Sequence, residues 1–393
     1  MIGINTKLRR YLPSKVEDTT TTLGTEDMKI IHTPVRIFTT GGVENYVRCL
    51  SKELVAAGHD VGVICSDRSD GQNIPDCIDV KALRFIGKVA NTDITPTLPL
   101  QLLREDFDIL HTHLPTPWSA DWSALASMLK EKPLVLTYHN DIVGNGWMGY
   151  VANLYNHSAL KILLRTADRI LIARNENRSL QLKKYGDKIK VIPIGVDTKA
   201  FEPIDVEELG DIFFLGILDE FHRYKGLDIL LGALKIVKEE HPRVKLLIGG
   251  SGALACYYND LAKGLGLHEN VEFLGFVPGD ALKKYYNGCK IFVLPSTDPA
   301  QEGFGIVLLE AMACGRPVIA TDIAGAAEDI KKGGAGLVVG RKSEVELARA
   351  ILLLLDNEDF AAEMGSSARS LVEEKYSWKM VAHQTEKVYR EIV

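Results

Sequence analysis

The stretch "MKIIHTPVRIFTTGGVENYVRCLSKELVAAGHDVGVIC", residues 28–65, decides the fold. It opens with a strand-like apolar run at 28–33, loops to Gly41 and Gly42, continues as a helix and ends in a second apolar run at 61–65. A strand, a helix and a strand in that order make a parallel pair whose faces are covered. The two glycines sit after the loop and before the helix, where a backbone without side chains can approach a ligand closely.

Outward from this unit the alternation continues. Strand-like runs recur at 109–113, 133–137, 169–173 and 189–193, with helix-like stretches between several of them. A second series stands at 212–216, 244–249, 271–274, 290–294, 317–321 and 336–339. A chain of 393 residues is too long for one ordinary core. The pattern therefore predicts an α/β protein of two Rossmann-like, doubly wound parallel-sheet domains, 28–205 and 206–375, joined near 195–210. Residues 1–27, with "TTTT" at 19–22, read as a mobile N-terminal extension, and 376–393 as a last helix that packs back toward the N-terminal domain. Doubly wound sheets bind ligands outside the carboxyl ends of their strands, so two of them facing each other are expected to share one cleft.

Composition excludes several classes. The formal charge of -6 argues against a nucleic-acid binder, and the acidity lies mainly in the second half. Six cysteines without metal spacing predict buried, reduced thiols in a cytoplasmic protein. No apolar run approaches the length of a membrane span, and the N-terminus lacks the apolar segment of a secretion signal. There is no phosphate-binding Walker loop, no G-x-G-x-x-G with a following acid and no G-x-S-x-G elbow. Asp106 and Asp108 spell D-x-D, but ahead of a strand rather than after one, so no metal is predicted there.

A second stretch carries the chemistry. In "STDPAQEGFGIVLLEAMACGRPV", residues 296–318, Glu302 and Glu310 stand on either side of a glycine-bearing turn and an apolar run. Carboxylates in such surroundings must be exposed, paired or aimed at a ligand. The segment from Gly303 to Ala313 reads as a helix ending at Gly315, which would place the two carboxylates roughly 12 Å apart along its axis. The amides of Gly303, Phe304, Gly305 and Ile306 at its start would suit a phosphate.

Here the chain resembles the retaining glycosyltransferases of family 4, which have the GT-B fold: Glu302 and Glu310 match their E-x7-E element. The resemblance runs from about Met28 to the C-terminus and includes "FDILHTHLP", "LVLTYHND", "ADRILIARN", "KVIPIGVDTKAF", "YKGLDILLGAL" and "VKLLIGGSG". It implies two Rossmann-like domains facing an interdomain cleft. The activity it implies is transfer of a hexose from a nucleotide diphosphate sugar to a glycan or lipid-linked acceptor, in glycoconjugate or polysaccharide biosynthesis, without cofactor or metal. It implies that Glu302 holds sugar hydroxyls, Glu310 the ribose, Lys225 the diphosphate, and that His139 contacts the transferred sugar. The loop of Gly41 and Gly42, completed by Glu44 as GGxE, would lie near donor phosphate and acceptor. Phe276 and Val277 in "LGFVPGDAL" match the segment that meets the base, where core packing is an equal reading.

Two positions depart from the family pattern. Where it has G-R-L after the first strand of the second domain, this chain has Gly216, Ile217 and Leu218, and Arg223 is expected to replace the missing arginine. Ile194 stands where asparagine is usual. The missing arginine also supports an alternative, a non-catalytic nucleotide- or glycan-binding partner subunit of the same fold. A phosphorylase or nucleotide-sugar epimerase is a third reading, which E-x7-E and "YKG" disfavour. His111 and His113 alternate on one face of a strand but, as a metal pair, lack a carboxylate or cysteine at matching spacing, so a core or cleft-lining role is expected. Finally, Trp147, Met148 and Tyr150, which follow Gly144 and Gly146 near Lys161 and Arg165, with Trp118 and Trp122 nearby, are expected to form a rim that touches anionic membrane or a lipid-linked acceptor.

Overall fold

The structure is a computed structural model that describes residues 26–39, 41–71, 74–89, 92–142, 146–174, 181–299 and 301–393. Most of the expected N-terminal extension, residues 1–25, lies outside the described residues, as does Gly144. The chain forms two compact units, one of residues 26–195 together with Trp378–Val393, the other of Val196–Ser377.

The first unit contains β1 (Lys29–Thr33), β2 (Asp60–Ser66), β3 (Asp79–Leu83), β4 (Gly87–Val89), β5 (Thr92–Ile94), β6 (Ile109–Leu114), β7 (Leu134–Tyr138), β8 (Arg169–Ile172) and β9 (Ile189–Val191). Seven of these make one parallel sheet in the order β3-β2-β1-β6-β7-β8-β9, and β4 and β5 pair separately as an antiparallel ribbon. Strand order reverses between β1 and β6, so their carboxyl ends flank the switch point where such sheets bind ligands. The sequence pattern missed β3, β4 and β5. β3 lies at the sheet edge and is only half-buried, so it lacks the continuous apolar run of a covered strand.

Helices Gly42–Ala56 and Trp378–Arg390 lie together on this sheet. The first buries Tyr46, Val47, Leu50 and Leu54, and the second buries Trp378, Val381, Ala382, Val388 and Tyr389 in the same cluster. Each large apolar side chain buried there contributes roughly 1.5–3 kcal/mol. Lys190 pairs with Glu391 at 2.8 Å just beyond the second helix.

The second unit contains β10 (Gly210–Leu215), β11 (Leu246–Gly249), β12 (Val271–Gly275), β13 (Cys289–Leu294), β14 (Val318–Thr321) and β15 (Gly336–Val339). They form a parallel sheet in the order β12-β11-β10-β13-β14-β15, with its switch point between β10 and β13. The predicted helix over Gly303–Ala313 is shorter in the structure, Ile306–Ala313, because Gly305 takes a left-handed conformation at its start. Glu302 therefore belongs to the preceding loop, and the helical rise does not set its distance from Glu310. The cysteines are all free; Cys65, Cys289 and Cys314 are buried as expected, but Cys77 and Cys256 are exposed.

Candidate functional site

In the second unit, the loops after β10 and β13 bring together two residues far apart in sequence. Lys225 ends a short helix, Glu220–Lys225, and its Nζ lies 2.9 Å from Oε2 of Glu302 and 3.3 Å from Oε1. Ser296 also donates its hydroxyl to Glu302 Oε2. The carboxylate is 1% exposed and the lysine side chain 17%, so this is a largely dry ion pair at the switch point. The loops are fastened by the amide of Thr297, which donates to the Tyr224 carbonyl at 2.7 Å. Gly226 is required between them: a Cβ there would meet the Pro295 carbonyl oxygen at 2.1 Å, and φ is +75°.

Glu310, on helix Ile306–Ala313, accepts a 2.6 Å hydrogen bond from the Tyr286 hydroxyl. Burial pushes its carboxyl up to about 7, against the opposing effect of that hydrogen bond. The two carboxylates thus stand in different surroundings. Glu302 is held by a cation, while Glu310 is half-buried and shares one neutral donor.

The remaining predicted residues of this unit differ in what they offer. Phe304 is buried, its ring against Tyr376, so only its backbone is left for a ligand. Gly303 and Ile306 are exposed and Gly305 is buried. Beside them, the ends of β10, β11 and β12 are knitted together: Gly216 donates to Gly249, Leu218 to Ser251 and Gly250 to Gly275 through backbone amides. Phe276 is 75% exposed at this rim, which removes the core-packing reading for its ring, whereas Val277 is buried. Ile217 is also exposed. Arg223 does not contact Glu302: its guanidinium stands 3.7 Å from Glu220 and over the Tyr257 ring.

In the first unit, Gly41 caps helix Gly42–Ala56, and the Glu44 carboxylate folds back over it. A Cβ at Gly41 would lie 2.1 Å from Glu44 Oε2, so glycine at this position makes room for that carboxylate, while Gly42 faces open space. Arg48 donates to the carbonyls of Ile37 and Thr39 and ties down the loop leading to the cap.

His139 follows β7 and is partly exposed, with the Tyr46 ring edge-on to it at 4.9 Å. Its Nε2 lies 3.4 Å from His113 Nδ1. The sequence shows no carboxylate or cysteine to join His111 and His113, but the structure brings a third histidine beside them, His32 on the neighbouring β1, in register with His111. Ring nitrogens of His32, His111 and His113 lie within 4.8 Å of one another, close enough for a set of metal ligands. His111 is already bonded at both nitrogens, to the Tyr389 hydroxyl and the Thr137 hydroxyl, each at 2.6 Å. Burial lowers His32 to about 3, His139 to about 4 and the other two well below the usual range, so all four rings are neutral. The signal that would have found His32 is a histidine near the carboxyl end of a covered strand, where the apolar pattern calls for a hydrocarbon.

On helix Trp147–His157 of the same unit, Trp147, Tyr150 and Leu154 are each at least 70% exposed, and Val151 is exposed beside them. Trp118 and Trp122 pack edge to face and are half-buried against the core, with the Trp118 indole donating to the Thr95 carbonyl. No helix among the described residues is long and apolar enough to cross a membrane.

Comparison with known proteins covers both units. A family model described as "Glycosyltransferase Family 4" matches residues 40–200, and one described as "Glycosyl transferases group 1" matches 203–371. The phosphatidyl-myo-inositol mannosyltransferase of Mycobacterium leprae is 30% identical over 366 residues, which is 90% of this chain and 93% of that one. An uncharacterized glycosyltransferase of Methanocaldococcus jannaschii is 29% identical over 379 residues, 89% of this chain and 94% of its own. Among solved structures, Anabaena HepE in complex with UDP superposes with a TM-score of 0.73 at 20% identity, over 93% of this chain and all of that one.

Proposed function

Since the chain belongs to glycosyltransferase family 4 and has the GT-B fold, and is thereby a nucleotide-sugar glycosyltransferase, we propose that it is a retaining, metal-independent hexosyltransferase. The donor is a nucleoside diphosphate sugar and the acceptor a glycan or a lipid-linked acceptor. The observation that carries this reading is the Lys225–Glu302 pair at the switch point of the second sheet. A buried carboxylate beside a lysine offers an acceptor for sugar hydroxyls next to a cation for the leaving diphosphate. The UDP complex of HepE supports a nucleotide donor, and the mannosyltransferases that act on phosphatidyl-myo-inositol by name support an acceptor borne on a lipid.

In this mechanism Lys225 and the amides of Gly303 to Ile306 hold the diphosphate, Glu302 sugar hydroxyls and Glu310 the ribose, and His139 contacts the transferred sugar, as the family resemblance implies. The bond from the anomeric carbon to the phosphate oxygen breaks as the acceptor oxygen bonds to that carbon on the same face. The acceptor proton passes to the departing phosphate oxygen. Charge on the leaving group is neutralised by side chain and backbone, so no bound metal is required for that step, and positioning and electrostatics supply the rate. The exposed Trp147, Tyr150, Val151 and Leu154, with Lys161 and Arg165 on the next helix, would place a lipid acceptor at an anionic membrane surface.

The test is a panel of nucleoside diphosphate sugars with glycan and lipid-linked acceptors, in the presence and absence of a chelator, with the product's anomeric configuration read by proton NMR. Retained configuration and chelator-insensitive turnover are expected, and an inverted product would refute the retaining mechanism. Vesicle co-sedimentation with anionic and neutral lipids, repeated after Trp147→Ser with Leu154→Ser, checks the membrane rim. Equal binding to both lipids would exclude it.

A further inference from the structure

The buried histidines of the first unit are arranged as a line as well as a cluster. His32 Nδ1 and His113 Nε2 are 3.2 Å apart while their ring centroids are 5.5 Å apart, and the planes differ by 23°. His113 Nδ1 and His139 Nε2 are 3.4 Å apart with centroids at 5.7 Å and planes 21° apart. In both pairs the centroids exceed the nitrogens by about two ring radii. Each pair therefore meets nitrogen to nitrogen, nearly in one plane, as in an in-line hydrogen bond. His111 is outside the line, stacked on His113 at 4.5 Å and bonded elsewhere.

This geometry disfavours a metal ion between the rings. Two imidazoles on one tetrahedral zinc would aim their nitrogens at the ion from directions roughly 109° apart, whereas these two rings point straight at each other. With the rings in line, the 3.2 Å between His32 and His113 leaves room for a proton only.

Neutral imidazoles carry one N–H each, so the line has two possible directions. If protons point toward the buried end, His32 carries its proton on Nε2. That atom is buried and has no hydrogen-bond partner among the described residues, and His32 is wholly enclosed. If they point the other way, His32 Nε2 is a bare acceptor. Buried orphan N–H groups are rarer than under-used acceptors, so the second direction is favoured. Because each link joins an Nδ1 to an Nε2, the choice made at His32 is passed along unchanged.

We propose that His32 and His113 act as positioning residues that fix the proton of His139 on Nδ1, so that this ring presents an N–H donor on the side away from the line. An N–H donor complements the oxygen-rich surface of a sugar or its phosphate. The consequence for catalysis rests on His139 contacting the donor sugar, as proposed above. The tautomer itself does not.

The experiment is long-range proton–nitrogen-15 NMR on the full chain labelled at histidine, at neutral pH and without ligand, with His139 assigned by loss of its signals in His139→Gln. His32, His113 and His139 are all expected as Nδ1–H tautomers, and His113→Phe or His32→Phe should move His139 toward Nε2–H. His139 found as Nε2–H in the wild type, differing tautomers along the line, stoichiometric metal in the purified protein, or an unchanged His139 in both folded variants would overturn the proposal. If neither variant folds, the wild-type spectrum alone decides. Loss of one neutral hydrogen bond to the sugar should lower kcat/KM roughly 3- to 10-fold in the variants. The expected tautomer shift with no such loss would uphold the relay and refute the sugar contact instead.

Discussion

Removing Lys225 should harm the second unit more than removing Glu302, although the two form one ion pair. Lys225→Met leaves a carboxylate that is 1% exposed with the Ser296 hydroxyl but without its cation. Breaking a buried pair in this way costs about 3–5 kcal/mol, because the stranded charge cannot regain water. Glu302→Gln leaves instead a lysine with 17% of its side chain in solvent and the Tyr224 ring 5.1 Å from its Nζ. That cation can rehydrate and keeps a cation–π contact, so the loss should be nearer about 1–2 kcal/mol. In the double variant no charge is stranded, and the cost should fall below that of Lys225→Met alone. Hydrogen exchange of peptides from β10 and β13 reads these differences within the unit, independently of the first unit. Equal costs for the two single variants would show that Glu302 reaches water in solution, and the preformed, dry pair would be the wrong description.

Three further outcomes are expected. Glu302→Gln should cut kcat tenfold or more with a smaller change in nucleoside diphosphate affinity, and Glu310→Ala should do the reverse, since a hydrogen bond to a charged group is worth about 1.5–3 kcal/mol; unchanged nucleotide affinity in Glu310→Ala would remove the ribose assignment. Burial holds the Glu310 carboxyl near 7 in the fold against 4.5 in the open chain, so its contribution to stability is full below pH 4.5 and is lost as pH rises through 7. The wild type should therefore lose up to about 3 kcal/mol more than Glu310→Gln between pH 5 and 8 in urea titrations, and parallel curves would contradict the shift. The present contacts of Arg223 are an exposed, solvent-screened pair with Glu220 and the Tyr257 ring, which a diphosphate can displace. Arg223→Ala should then reduce turnover nearly as far as Lys225→Ala, with partial rescue by Ile217→Arg; full activity would end the idea that Arg223 replaces the missing arginine.

How much of this was legible in the sequence depends on where each residue sits. β10, β13 and β14 read clearly because "IFFL", "IFVL" and "VIAT" are covered on both faces and carry the continuous apolar run of an inner parallel strand. β3 is an edge strand with one side in water, and its "DVKAL" shows neither a run nor a clean alternation. Short motifs flagged Lys225 and Glu302 separately. Their pairing over 77 residues was not visible, because it follows from β10 lying beside β13 in the sheet, an adjacency that chain order does not disclose.

His32 was missed for a related reason. On β6 the alternation of His111 and His113 was plain, yet their third neighbour depends on the register of β1 against β6, which pairs His32 with His111. A covered strand gains most by carrying hydrocarbon, and a histidine there loses that gain and must find a partner in a dry interior. β1, β6 and β7 carry His32, Thr33, His111, Thr112, His113 and Thr137, all buried, close to the carboxyl ends that line the switch point. Polar residues concentrated at one end of the innermost strands are therefore a signal of a site in their own right. Reading it requires asking where a strand departs from the apolar pattern and at which end, since the same departures at the amino ends would face away from where this sheet binds its ligands.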